Sequence, residues 1–237
     1  MLIKTAFFLA AGLGTRMRPL TLTTPKPMLP VAGKPLMDHL LDAAVQAGVQ
    51  RAVVNVHYLP EQVEDHVTAR TDIEVLISDE RSELLETGGA IVKAMPMLGN
   101  DPIFVVNTDA FWVDASHDPF ADLADAYDPA LMDDLLLLAN RERSLGYHGK
   151  GDFAFGDDGV LQRRADDQET EWAFAGVRIT QPKLYENEPL EPFSANRIWN
   201  LSLPVGRVFG LPLRGQWMHV GDPDALSAAE RWIEAHG

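Results

Sequence analysis

The chain has no cysteine among its 237 residues. That excludes disulfides, thiolate metal sites and cysteine nucleophiles, and it agrees with a reducing cytoplasm. Basic residues are scarce: 20 Lys and Arg against 35 Asp and Glu leave a formal net charge of -15, which argues against nucleic acid or an anionic membrane as partner. No apolar run approaches the ~18 residues a membrane helix needs. The apolar stretch after Lys4, TAFFLAAG, is short for a secretory signal, and glycines and arginines follow where a cleavage site would stand. Internal repeats, low-complexity linkers and a hexapeptide series are all lacking. What remains is enough chain for one sizeable core, and a single globular domain over 1–237 is expected.

Against this acidic background one stretch reverses sign. From Lys4 to Lys34 there is no acidic residue, while Arg16, Arg18 and Lys26 lie in a glycine-rich run that follows the apolar segment Thr5–Leu9. Gly12 and Gly14 let the chain turn sharply after a buried strand and bring backbone N–H groups to an anion. A polyphosphate would be drawn there. Two familiar phosphate motifs do not fit. The P-loop needs Lys directly after its closing Gly, and the dinucleotide fingerprint needs a third Gly where this chain has Met17.

Beyond the run, Val/Ile/Phe-rich segments alternate with segments of helical period, the pattern of parallel strands with crossover helices. Strands are expected at Arg51–Val56, Asp72–Ile77 and Ile103–Asn107, with helices at Leu36–Ala47, Glu61–Ala69 and Gly88–Met95. After Asp109 the rhythm loosens. A short helix at Phe120–Tyr127, a strand at Asp134–Asn140, a hairpin of Gly151–Phe155 with Val160–Arg163, and a strand at Trp172–Ile179 are expected. A helix at Phe193–Leu203, extended segments at Val205–Leu211 and Gln216–Val220, and a helix at Pro223–Ala235 follow.

The motif Gly12-x-Gly14-Thr15-Arg16-Met17-x-Pro19-Leu20-Thr21, continued by Pro25-Lys26-Pro27-Met28-Leu29-Pro30-Val31, resembles the signature of the sugar-1-phosphate nucleotidyltransferases. The resemblance implies an α/β fold of the three-layer, Rossmann-like nucleotidyltransferase type with a mixed, mostly parallel central sheet. It further implies a nucleotide-binding half over 1–110 and a sugar-phosphate-binding half over 111–237. In the reaction it implies, a sugar 1-phosphate attacks the α-phosphorus of a nucleoside triphosphate and pyrophosphate leaves. Two polyanions must meet, so positioning and charge neutralisation carry the catalysis.

By that resemblance Arg16 contacts the departing pyrophosphate, Lys26 the α-phosphate or sugar phosphate, and Asp109 holds Mg²⁺, with Mn²⁺ as an alternative; these three are the expected catalytic residues. The nucleotide site is expected to include Ala11, Gly12, Gly14, Thr15, Met17, Asn55, Glu86, Thr87, Gly88 and Asn107. Asn55 reads equally well as a polar strand end. At His219 many relatives have an aspartate, the second metal ligand. His219 is a candidate metal ligand, but a neutral imidazole suits Mg²⁺ poorly: either Asp222 or water substitutes, or the second metal position is weak, or His219 is a packed strand residue.

HGKGDF (148–153) and WAFAGV (172–177) resemble the sugar-holding segments of N-acetylmuramate-1-phosphate uridylyltransferases. Lys150, Gly151, Asp152, Ala175 and Gly176 are therefore expected at the sugar; a plain hairpin and a buried strand explain the same segments. UTP with N-acetylmuramate 1-phosphate is the leading substrate pair, and a cytoplasmic role in cell-wall sugar-nucleotide supply and peptidoglycan recycling follows. The alternatives are a mannose-1-phosphate guanylyltransferase using GTP, and a catalytically idle regulatory subunit that binds sugar nucleotide. Monomer and homodimer are equally compatible with the acidic surface.

Overall fold

The protein is described by a computed structural model covering residues 2–113 and 118–236. The first strand, β1 (Thr5–Leu9), runs into the glycine-rich loop, which leads through a small β2 (Pro30–Val31) and β3 (Lys34–Pro35) hairpin into helix α1 (Leu36–Gln46). There follow β4 (Arg51–Val56), α2 (Pro60–Thr68), β5 (Glu74–Asp79), α3 (Glu86–Leu98), β6 (Ile103–Asn107) and β7 (Ala110–Val113). The remainder comprises α4 (Pro119–Ala126), β8 (Asp134–Asn140), β9 (Phe153–Phe155), β10 (Leu161–Arg163), β11 (Trp172–Thr180), α5 (Asn196–Ser202), β12 (Val208–Pro212), β13 (Gln216–His219) and α6 (Pro223–His236).

β5, β4, β1 and β6 lie side by side and parallel, with Leu9, Asn55 and Ser78 abreast. β11 continues the sheet antiparallel to β6, β8 pairs with β11, and β12 pairs parallel with β8. The sheet is therefore mixed, as the sequence implies. Alternation puts Ala6 and Phe8 of β1 on one face, in a core shared with α1, α2, α4 and α6, and Phe7 on the other, packed with α3 and α5. Helices thus cover both faces, the three-layer arrangement.

Several expectations shift, among them the strand expected at Asp72–Ile77, found at Glu74–Asp79, and the extended segment expected at Val205–Leu211, found at Val208–Pro212. The helix expected at Phe193–Leu203 shrinks to Asn196–Ser202, because the backbone of Phe193 is hydrogen-bonded across the molecule to Leu85, Gly88 and Gly89. The third helix is longer than expected, Glu86–Leu98, with Pro96 inside it. β7 has no counterpart among the expected strands: four residues after Asp109 pair antiparallel with β13, more than a hundred residues on, forming a separate two-stranded sheet.

Candidate active site

A parallel sheet places ligand sites beyond the carboxyl ends of its strands. Here a cavity of ≈ 450 Å³ opens there, between the loop after β1, the start of α3 and the end of β6. Ala11, Gly12, Gly14, Thr15, Arg16, Met17 and Lys26 line one side; Asn55, Glu86, Thr87, Asn107 and Asp109 line the rest. Leu9, Leu13, Pro27, Leu84, Thr108 and Gly221, none of them among the expected site residues, also line it.

The loop is held rigidly. Gly14 adopts φ 59°, and a Cβ there would stand 2.9 Å from Thr21 Cγ2, so glycine is required both by conformation and by space. Thr21 Oγ1 donates to the Gly14 carbonyl, Tyr58 Oη donates to the Thr21 carbonyl, and Gln62 Nε2 to that of Thr23. Thr108 Oγ1 donates to the Leu9 carbonyl, joining the ends of β1 and β6. This fastening lets the exposed Arg16 and half-buried Lys26 face the cavity from a fixed backbone.

Lys26 Nζ lies 3.1 Å from Asp109 Oδ2. Burial alone would push the Asp109 carboxyl up, but Lys26, then His219 and Arg16, outweigh it and hold the carboxyl below the usual range. The carboxylate is therefore ionised at neutral pH, with a third of its side chain exposed. Among the described residues no group of three or more His, Cys, Asp or Glu side chains could hold a metal. A single hard carboxylate still fits Mg²⁺, which usually takes one or two carboxylates together with substrate phosphates.

His219 does not line the cavity, though its neighbour Gly221 does. It ends β13, its Nδ1 is 3.3 Å from the Gly146 carbonyl, and its ring packs against Trp217 and Tyr147. A Cβ on Gly221 would come within 2.8 Å of His219 Cε1 and 3.5 Å of Arg16 Nη1, so glycine here leaves both side chains their room.

Two nucleotide-side residues have employment within the protein. The Asn55 side chain is nearly fully buried, and both its polar atoms are taken: Oδ1 accepts from the N–H of Ala10 (2.6 Å) and Ala11 (3.2 Å), and Nδ2 donates to Glu80 Oε1 (2.8 Å). Gly88 does not line the cavity. Its N–H donates to the Phe193 carbonyl (2.8 Å), and a Cβ would lie 2.3 Å from the Phe193 ring. The glycine serves close packing of chain on chain.

None of the five expected sugar residues lines this cavity. Asp152 Oδ2 accepts from the Phe174 N–H (2.9 Å), Lys150 is exposed, and Gly151, at φ 78°, backs onto Thr170. The Ala175 carbonyl accepts from Trp217 Nε1 (3.1 Å). Gly176 comes nearest. The register of β11 against β8 slips between Phe174 and Arg178, and at this bulge Gly176 takes φ 90°, where a Cβ would lie 3.3 Å from Asn107 Cβ at the cavity wall.

The sequence profile described as nucleotidyl transferase matches residues 5–147. An N-acetylmuramate alpha-1-phosphate uridylyltransferase of Caulobacter vibrioides is 45% identical over 231 residues, 96% of this chain and 96% of its own. One of Neisseria meningitidis serogroup B is 33% identical over 95% of this chain and 96% of its own, and a mannose-1-phosphate guanylyltransferase catalytic subunit beta of Danio rerio is 30% identical over 92% and 61%. Among solved structures, a UDP-glucose pyrophosphorylase complexed with UDP-glucose superposes with TM-score 0.81 at 19% identity, covering 99% of this chain and 100% of that one.

Proposed function

Because the chain belongs to the nucleotidyl transferase family, whose profile covers residues 5–147, and is an enzyme of that family, we propose that it joins UTP to N-acetylmuramate 1-phosphate. The products are the UDP sugar and pyrophosphate. A phosphate oxygen of the sugar 1-phosphate forms a bond to the α-phosphorus, the bond from that phosphorus to the β-bridging oxygen breaks, and pyrophosphate leaves with the electron pair. The observation that carries this reading is the convergence of Arg16, Lys26 and Asp109 on one cavity, in a chain 45% identical along nearly its whole length to a uridylyltransferase with this substrate.

Arg16, on the exposed tip of the loop, takes the charge that grows on the leaving pyrophosphate. Lys26, within reach of Asp109, bridges toward the α-phosphate and the incoming phosphate. The backbone N–H groups of the rigid loop receive phosphate oxygens. Enzymes of this family use a divalent cation, and Asp109 would hold it here, where it neutralises phosphate charge. Gly176 and the segment leading from Tyr147 to Asp152 supply the sugar side, so that 1–110 grips the nucleotide and 111–237 the sugar phosphate. No helix among the described residues is long and apolar enough to cross a membrane, and we place the enzyme in the cytoplasm, supplying nucleotide sugar to the cell wall from recycled peptidoglycan.

The test is pyrophosphate release from UTP and GTP, each with a panel of sugar 1-phosphates. Turnover confined to UTP with N-acetylmuramate 1-phosphate is the expected result. Turnover with GTP and mannose 1-phosphate instead would replace the substrate pair and leave the reaction class intact.

A further inference from the structure

Glu80, one residue beyond β5, has no role in the chemistry above, yet its side chain is fully buried. Both carboxylate oxygens accept hydrogen bonds: Oε1 from Asn55 Nδ2 (2.8 Å) and Oε2 from the Leu85 N–H (3.0 Å). Its main-chain carbonyl accepts from His57 Nδ1 (2.7 Å). Asn55 in turn accepts from Ala10 and Ala11, where the glycine-rich loop begins, while Leu85 is the last residue before α3, whose first residues Glu86 and Thr87 line the cavity.

We propose that Glu80 is a positioning residue, the buried strut that fixes the phosphate-gripping loop and the start of α3 at one spacing through Asn55 and Leu85. The proposal rests on the reading of the cavity as a nucleotide site. The physical reason lies in donor and acceptor polarity. Two donors, an amide N–H₂ and a backbone N–H, converge on one side chain from opposite walls, and only a group with two acceptor ends satisfies both. Burial makes the arrangement stiff, since an unmatched donor left without water is costly. A nucleotide reaching across the cavity touches both walls, so an error in their spacing is felt in its affinity and hardly in that of a sugar phosphate bound to the second half.

The experiment reads UTP dissociation constants by calorimetry and steady-state KM for N-acetylmuramate 1-phosphate in wild type and Glu80→Gln, and melting temperatures in these two and in the swapped pair Asn55→Asp with Glu80→Gln. Glu80→Gln turns an N–H₂ against one of the two donors, and roughly tenfold weaker UTP binding is expected, the equivalent of one mismatched buried hydrogen bond. The sugar-phosphate KM should stay within about twofold. In the swapped pair the carboxylate introduced at position 55 accepts from Ala10, from Ala11 and from the side-chain amide introduced at position 80. The carbonyl end of that amide accepts from the Leu85 N–H, so every bond is restored with the same net charge. Its melting temperature, lowered in Glu80→Gln, should return to within about 2 °C of wild type.

Unchanged UTP affinity in Glu80→Gln overturns the proposal, as does an equal loss for both substrates or a swapped pair that folds without recovering the melting temperature. If Glu80→Gln alone does not fold, the swapped pair decides: folded with a near wild-type melting temperature supports the strut, and failure to fold overturns it. A wild-type protein that binds no nucleoside triphosphate refutes the assigned function instead. The strut is then read from melting temperature, lowered in the single variant and restored in the pair if the strut is real, and unrestored if it is not.

Discussion

Lys26 stands 3.1 Å from Asp109, so removing its ammonium takes away the foremost of the cations that hold the carboxyl below its usual range and, on the proposed reading, a donor for phosphate. Lys26→Ala and Arg16→Ala should each slow pyrophosphate release by about 10²–10³, the usual cost of one preorganised donor, with the fold retained. His219 is a different case. It sits beside Tyr147 and Trp217, outside the cavity lining, but close enough to Asp109 to act on its charge. His219→Ala is expected to change the relative activation by Mg²⁺ and Mn²⁺; superimposable metal titration curves for variant and wild type would remove it from the site. At this scale the sequence pointed to Arg16, Lys26 and Asp109 by residue type, and the fold brings all three to one cavity. It was silent on direction. Nothing in LLETGG says that Gly88 faces Phe193, or in HGKGDF that Asp152 caps the Phe174 N–H, and Glu80 lies in the charged run SDERSE, which reads as solvated surface.

At the scale of elements, the entrance of α3 is set by chain packed on chain. A Cβ on Gly89 would fall 2.1 Å from the Glu191 carbonyl oxygen, a backbone atom that cannot rotate away. Gly89→Ala should therefore cost about 1–3 kcal/mol, the range for overpacked sites. In a chain of this length that lowers the melting temperature by about 2–4 °C per kcal/mol, measurable by calorimetry. The UTP KM should rise with it, because Glu86 and Thr87 ride on the same helix start. The strands of the first half were legible to the residue in β1, β4 and β6, since apolar runs bounded by polar ends report burial locally. β7 was not, because its pairing with β13 is a long-range choice that four residues cannot announce, and the shortened α5 reflects backbone bonds of Phe193 made to a distant helix.

For the molecule as a whole, the alternation of strand and helix made the layered fold legible, while the cavity's floor and the sugar side depended on contacts no local pattern contains. The acidic surface is partly balanced by pairing. Burial pushes the Asp42 carboxyl up, but Lys34 (2.5 Å) and Arg70 (2.7 Å) outweigh it and hold it below its usual range; Arg70 does the same to Asp72 at 2.6 Å. Carboxylates with depressed native pKa values stabilise the fold above their unfolded value of about 3.9, and that contribution is lost as pH falls through the lower native values. Thermal melts should therefore drop below about pH 4. In Arg70→Met this acid-dependent part should shrink, while the loss at pH 7 stays at about 1 kcal/mol or less per exposed pair. An unchanged acid limb in that variant would show the pairs to be inert.

The small sheet of β7 and β13 has one more consequence. Asp109 and the strand after it are laid down more than a hundred residues before β13, yet the Val220 N–H closes on the Asp109 carbonyl and Gly221 forms part of the same wall. On the ribosome, the first half can assemble its parallel strands early, but its pocket must wait, roofless, until β13 and Gly221 have emerged. Competence to bind would then arrive late and all at once, and a nascent chain stalled before β13 would be folded in part and empty.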